Sequence, residues 1–241
     1  LGYYSRARNL HHAAQQIVSM GGFPTTYSEI RTLKGVGDYT AAAIASFAYG
    51  LPHAVVDGNV YRVLSRFFTI ATPIDTTEGK KHFASLAQEI LPIQQAALHN
   101  QAMMDLGATV CIPRTPQCEV CPLAHACLSC AEGRAEEFPV KEKRMKVSHR
   151  YFTYLIVTDG NEMLLHRRPE GDIWQGLYEP FLIETPEPLS EQELFTHPLV
   201  AHLLNSQATL SPIASNIVHK LSHQHLHTDA YLLRTEKLSP I

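Results

Sequence analysis

LKGVGDYTAAAIASFAYGLPHAVVDGN, residues 33–59, opens on a tight glycine turn, Gly35-Val36-Gly37, runs into an alanine-rich helix and ends near a lone aspartate, Asp57. Glycines at 35 and 37 permit backbone angles closed to other residues. They also leave amide N–H groups uncovered at the start of the next helix, where an anion such as a phosphate can bind. Just upstream, Thr26 and Glu29 have the spacing of a capping box and start a short helix. The local pattern is therefore helix, glycine hairpin, helix.

On these residues the stretch resembles the helix-hairpin-helix of the endonuclease III superfamily of base-excision DNA glycosylases. LKGVGDYTAAA matches the hairpin, and VVDGNVYRVLSR resembles the segment that carries the superfamily's catalytic aspartate. The resemblance implies an all-α glycosylase domain with Asp57 as catalytic carboxylate and Asn59 as the asparagine that accompanies it. Lys34, Gly35, Val36 and Gly37 then form the DNA-binding hairpin. Tyr39 stands where strand-cutting members carry a Schiff-base lysine. A tyrosine cannot form one, so the resemblance implies a monofunctional enzyme that releases a base and leaves an abasic site.

Working outward, residues 3–20 read as a helix ended by Gly21-Gly22 and Pro24. Gly50 is a plausible helix stop, Asp57 can cap a helix over 58–68, and Thr76 or Thr77 begins another that Pro92 ends. A further helix covers 93–108. Then come Cys111, Cys118, Cys121 and Cys127, spaced C-x6-C-x2-C-x5-C, with Cys130 left over as a free thiol. Four thiolates this close can enclose one metal centre, and the spacing alone permits either a four-cysteine zinc site or an iron–sulfur cluster. The resemblance to the endonuclease III superfamily points to a 4Fe–4S cluster.

The charge-dense segment 131–147, AEGRAEEFPVKEKRMKV, reads as a linker, and its basic end from Lys141 to Lys146 could lie along a DNA backbone. After Ser148 the pattern turns to short β-rich runs, YFTYLIVTD, EMLLHRR and GLYEPFLI, with a turn at Asp159-Gly160. A helix over 191–205 is interrupted by Pro198, and strands follow at 217–221 and 227–234. The expected architecture is multidomain: a helical domain over 1–130 with its cluster loop at 111–127, a linker, and a small α+β domain over 148–241.

This second domain resembles the Nudix-like C-terminal domain of adenine DNA glycosylases of the MutY family, through DIWQGLYEPF and HKLSHQHLH. That resemblance implies recognition of 8-oxoguanine by Leu221, Ser222 and His223, with Leu221 in place of the family's phenylalanine. It implies double-stranded DNA with an A:8-oxoguanine or A:G mispair as partner, and adenine hydrolysed from it. No Arg-Glu-x-x-Glu-Glu pattern follows Trp174, so pyrophosphohydrolase activity is not expected. His219, His223, His225 and His227 read as surface and loop histidines, and Trp174 as core. The family's proton donor is a glutamate near the N-terminus. The chain starts at Leu1 in a helix with no visible partners upstream, so it reads as lacking that segment and, as given, as inactive; Glu29 is committed to its capping box. The alternatives are another monofunctional glycosylase of the superfamily or a non-catalytic DNA-binding module with zinc.

Composition sets the outer bounds. The 241 residues are 45% hydrophobic and 18% charged, ordinary for globular domains. No apolar run approaches the ~20 residues a membrane span needs, and no signal peptide is visible. Four of the five cysteines share one short window, which suits metal ligation in a reducing compartment. The family resemblance implies a bacterial cytoplasmic, nucleoid-associated monomer. Residues 1–130 carry nine Lys and Arg against eight Asp and Glu, and 148–241 carry six against eleven. A DNA surface must then be a local patch with backbone amides, not a global field.

Overall fold

A computed structural model describes residues 4–142, 146–204 and 208–238. Residues 143–145, within the basic run, and Asn205, the expected end of a helix, lie outside them. The chain divides into two compact units, one built on residues 5–144 and one on 145–241 with the first four residues.

The first unit is helical: α1 (Tyr4–Ser19), α2 (Tyr27–Thr32), α3 (Asp38–Tyr49), α4 (Gly58–Phe67), α5 (Thr77–Glu89), α6 (Ala96–Thr109) and the short α7 (Leu128–Ala131). Its punctuation is local chemistry. Thr26 and Glu29 close the capping box of α2, and Gly50 ends α3 in the left-handed conformation at φ 65°. Asp57 caps α4 through Val60 N–H, and Thr76 caps α5 through Gly79 N–H. Such caps contribute about 1 kcal/mol each. Of the hairpin glycines only Gly35 needs its freedom, at φ 79°, where an added Cβ would also lie 2.7 Å from Cβ of Asn9. Gly37 is the extended N-cap of α3, a conformation open to any residue.

Two apolar clusters hold this unit. Ile30, Ala41 and Ala45 pack α2 onto α3; Val60, Leu64, Phe83 and Ala87 pack α4 onto α5. Alanines on α3 let the helices approach closely, and Phe83 is fully buried. Residues 131–142, part of the segment 131–147 read from the sequence as linker, are largely exposed but anchored at two points. Phe138 is buried, its carbonyl takes a hydrogen bond from Arg66, and Val140 O accepts from Ile74 N–H. The charge density of this segment hid its two apolar anchors.

In the second unit β1 (Ser148–Thr158), β4 (Phe181–Thr185), β5 (Thr209–Lys220) and β6 (Gln224–Arg234) form a mixed sheet in the order β4-β1-β6-β5. The pair β2 (His166–Arg167) and β3 (Tyr178–Glu179) stands apart. β1 and β6 pair in parallel over eleven residues, and β4 and β5 flank them antiparallel. Two short helices, α8 (Glu191–Thr196) and α9 (Pro198–Leu203), place Leu194 and Val200 in one core with Leu155, Val157, Ile183 and Leu233. Pro198 opens α9 at a position that tolerates it. β5 starts at Thr209, well before the expected 217, because it is an exposed edge strand with bulges and lacks the alternation that sequence reading looks for.

Candidate functional site

Asp57 sits at the N-terminus of α4 with both carboxylate oxygens engaged. Oδ1 accepts from Val60 N–H at 2.8 Å and Oδ2 from Nδ2 of Asn59 at 2.9 Å. The group is thereby held in one orientation at the positive end of a helix. Asn59 is oriented from behind in turn: Arg62 Nη2 donates to its Oδ1 at 2.8 Å. Arg62 also donates to the carbonyls of Gly107 (2.6 Å) and Cys111 (2.7 Å). Burial lowers the pKa of its guanidinium, as does the charge of Arg66, against the opposing pull of Cys111 and Asp57. Gly107 is required beside this contact, since an added Cβ would lie 2.6 Å from Cβ of Asn59.

The sequence thus placed Asp57 and Asn59 correctly as neighbours but gave no hint of Arg62. One turn further along α4, Arg66 is 2% exposed. It donates to the carbonyls of Phe138, Ile112 and Pro113 and reaches Sγ of Cys111 at 3.3 Å. Two arginines at i and i+4 therefore tie the carboxylate-bearing helix to the cysteine loop.

Tyr39 lies in the first turn of α3, half exposed, and lines an open pocket with Tyr27, His53, Val56, Tyr61 and Lys80. Tyr27 and His53 stack face to face at 4.3 Å in its wall. Val56 belongs to this pocket, whereas Asp57, the next residue, turns its carboxylate to the start of α4. Lys34, Gly35, Val36 and Gly37 form the turn between α2 and α3. Lys34 is exposed with its N–H bonded to Gln16 Oε1, and Val36 N–H bonds to Leu33 O.

Cys111, Cys118, Cys121 and Cys127 all line one small pocket beside Arg66. Cys130, expected to be a bystander, lines it too and contacts Cys118. The Cys118 thiol is pushed up to about 11 by burial first, and then by its hydrogen bond to Cys130 and the neighbouring sulfurs. Among the described residues no three His, Cys, Asp or Glu side chains converge as around a single ion. The sulfurs are spread around the pocket instead. Soft sulfur donors on all sides, with a guanidinium bonded to one of them, suit a thiolate-ligated centre.

In the second unit Leu221, Ser222 and His223 make the turn from β5 to β6. Its backbone is fixed by Leu221 N–H to Gln224 O (2.8 Å) and by Ser148 N–H to His223 O (3.0 Å), while the Ser222 and His223 side chains are exposed. Near it His149 and His227 share a hydrogen bond of 2.8 Å, and His225 packs edge-on against His149. The histidines at 225 and 227 are thus less solitary than the sequence suggested. Trp174 is only half buried, at φ 58°, with the Arg168 guanidinium 5.7 Å from its ring.

The sequence reading also missed a chain of ion pairs within this unit. Arg150 joins Glu184 and Asp172, Asp172 joins Arg168, and Arg168 joins Glu179, to which Tyr154 donates its hydroxyl. Asp172 is held down at about 2, chiefly by the Arg150 hydrogen bonds.

The comparisons with known proteins agree with this geometry. Residues 1–92 match the model of the HhH-GPD superfamily of base excision DNA repair proteins, and residues 153–240 match that of the NUDIX domain. A hairpin glycosylase module followed by a Nudix-type unit is thus the class that fold and site define. The chain is 31% identical over 241 residues to the adenine DNA glycosylase of Buchnera aphidicola from Acyrthosiphon pisum, covering 99% of this chain and 67% of that protein. It is 32% identical to the mouse adenine DNA glycosylase over 98% of this chain and 55% of that one. Against the human protein it is 45% identical over 130 residues, 53% of this chain and 24% of that one. The chain belongs to the adenine DNA glycosylase family. It spans two thirds or less of these relatives' own lengths. Among the described residues no helix is long and apolar enough to cross a membrane.

Proposed function

We propose that this chain serves base-excision DNA repair as a monofunctional N-glycosylase, hydrolysing adenine from A:8-oxoguanine and A:G mispairs in double-stranded DNA. The observation that carries this is the Asp57 carboxylate, fixed at the N-terminus of α4 by Asn59 and Val60, with a tyrosine rather than a lysine on α3. A base inside the duplex cannot be reached, so the target nucleotide leaves the stack first. As the N-glycosidic bond breaks, its electron pair goes to the departing adenine, which takes a proton from a general acid. Positive charge grows on the sugar, and the Asp57 carboxylate faces it. Water adds to the sugar carbon and loses its proton, leaving an abasic site. Tyr39 has no amine to trap the sugar, so the strand stays intact.

In this reading Lys34 to Gly37 present a lysine and backbone N–H groups to a phosphate. Residues 1–130 act as the catalytic domain, and 148–241 inspect the opposing base through Leu221, Ser222 and His223. Cys111, Cys118, Cys121 and Cys127 would hold a 4Fe–4S cluster. When bound, it would tie the loop together and keep the four cysteines as thiolates, one of which, Cys111, lies within reach of the buried Arg66. The protein acts as a monomer in the cytoplasm.

The test is single-turnover base release by the protein as its gene encodes it, with metal analysis on the same sample. The expected outcome is free adenine from both mispairs, no strand scission, no borohydride-trapped adduct, and iron rather than zinc. Iron-loaded protein that binds the duplex but releases no adenine overturns the adenine reading. Stoichiometric zinc overturns the cluster assignment.

A further inference from the structure

The approach to Asp57 has an unusual support. From Leu51 to Val56 the chain belongs to no helix or strand, yet it runs between helices, where water cannot satisfy every backbone group. Two side-chain amides take the place of a partner strand. From α5, Gln88 accepts from Ala54 N–H at 3.0 Å and donates to Pro52 O at 2.9 Å. From α6, Asn100 accepts from Val55 N–H at 3.0 Å and donates to His53 O at 2.9 Å. Its second amide hydrogen goes to Ser46 Oγ at 3.0 Å, on the helix that begins beside Tyr39.

The two amides differ in setting. Gln88 is exposed, so water can replace it, whereas Asn100 is 2% exposed and Ser46 fully buried. A single side chain on α6 thus fixes three things at once: α3, the backbone that presents His53 to the pocket wall, and the segment that delivers Asp57 two residues beyond Val55. No other residue type of that length both accepts one backbone N–H and donates twice.

We propose that Asn100 is a positioning residue for this active site, setting the placement of Asp57 through the backbone of residues 53–55. The inference rests on Asp57 being the catalytic carboxylate. A displacement of about 1 Å at a reacting group costs on the order of 100-fold in rate without comparable loss of binding.

The experiment compares Asn100→Ala, Asn100→Asp, Ser46→Ala, Gln88→Ala and Asp57→Asn in the complete iron-loaded protein. It measures single-turnover adenine release at saturating protein, duplex affinity and iron content. Asn100→Ala is expected to slow release about 100-fold, with affinity and iron content within about threefold of the parent. Asn100→Asp keeps the shape and the acceptor for Val55 but loses both donors, and is expected at about tenfold. It stays informative if the alanine variant fails to fold. Gln88→Ala is expected within about threefold, since water substitutes, and Ser46→Ala separates the α3 arm from the loop arm. Parent rates in both Asn100 variants, alongside a dead Asp57→Asn, overturn the inference and leave the Asp57 assignment standing. Loss of rate, affinity and iron together in Asn100→Asp overturns it in favour of a purely structural role. An Asp57→Asn protein that still excises adenine removes the assignment on which the inference stands.

Discussion

Each unit of this protein packs a pair of arginines, buried except for the half-buried Arg150, and the two pairs are satisfied in opposite ways. In the helical unit Arg62 and Arg66 spend their donors on carbonyls of Gly107, Cys111, Ile112, Pro113 and Phe138 and on one cysteine sulfur. In the sheet unit Arg150 and Arg168 face carboxylates: Asp172, Glu179 and Glu184. The first arrangement uses the planar guanidinium as a clamp for irregular backbone. It holds a loop that has no ladder of its own against the helix that carries Asp57. The second neutralises charge between β1, β4 and the segment leading to β3, and it ties the edge strand β4 to β1. One pair serves the site and the other serves the fold.

Breaking the first pair has the larger expected effect. Arg66→Met leaves the buried carbonyl of Phe138 and the part-buried carbonyls of Ile112 and Pro113 without this donor, and an unsatisfied buried acceptor costs about 1–3 kcal/mol. We expect the helical unit to lose about 3 kcal/mol, since water can serve the two part-buried carbonyls, read as the drop in the denaturation midpoint of the helical circular dichroism signal, with reduced iron retention. Arg66→Lys is expected to rescue little, because one ammonium cannot span carbonyls in three directions. A variant as stable as the parent would show that the loop closes without the clamp.

These arginines also mark the limit of what the sequence made legible. The caps at Thr26, Asp57 and Thr76, the stop at Gly50 and the cysteine spacing lie within a few residues of what they organise, so chain order displays them. Arg62, Arg66 and Asn100 act over 45 to 72 residues, and no periodicity announces such pairings. Residues 131–142 failed for a related reason. Phe138 finds its partner on α4 and Val140 in the connection between α4 and α5, so a charge-rich stretch that reads as solvated is partly buried. In the sheet unit the core strand β1 was visible in its own apolar pattern, whereas only the end of the edge strand β5 from 217 was, because that strand is exposed along nearly its whole length.

The second pair makes the sheet unit acid-sensitive, with an intermediate effect. The Asp172 carboxyl is depressed from 3.8 to about 2 in the folded state. A depressed carboxylate contributes stability that is fully present above its unfolded value, near pH 4, and is lost as pH falls through about 2. The contribution is about 2 kcal/mol on the linkage relation. Trp174, the only tryptophan, lies in this unit, so its fluorescence follows unfolding of the sheet unit. Urea midpoints read this way are expected to fall between pH 4 and pH 2, and Asp172→Asn is expected to start lower and to lose most of that slope. A parent and variant with parallel pH profiles would remove Asp172 as the source of the acid dependence.

The smallest effects are expected at the turn of Leu221, Ser222 and His223, where neither kind of clamp is present. Backbone hydrogen bonds to Gln224 and Ser148 fix the turn, so its shape does not depend on the Ser222 and His223 side chains, which are exposed. On the proposed function, removing one of those polar groups subtracts a contact with the opposing base without disturbing the scaffold, at about 1 kcal/mol per hydrogen bond. Ser222→Ala is expected to narrow the preference for A:8-oxoguanine over A:G by roughly fivefold, with stability unchanged. Leu221→Phe is expected to widen it by a similar or larger factor, because an aromatic ring adds a stacking face worth about 1–3 kcal/mol per base. Both are read as the ratio of single-turnover rates on the two mispairs. If Ser222→Ala instead lowers both rates equally, the turn supports catalysis generally and does not read the lesion. The contrast with the clamped helical site would then lie in solvent exposure alone, not in the division between chemistry and recognition.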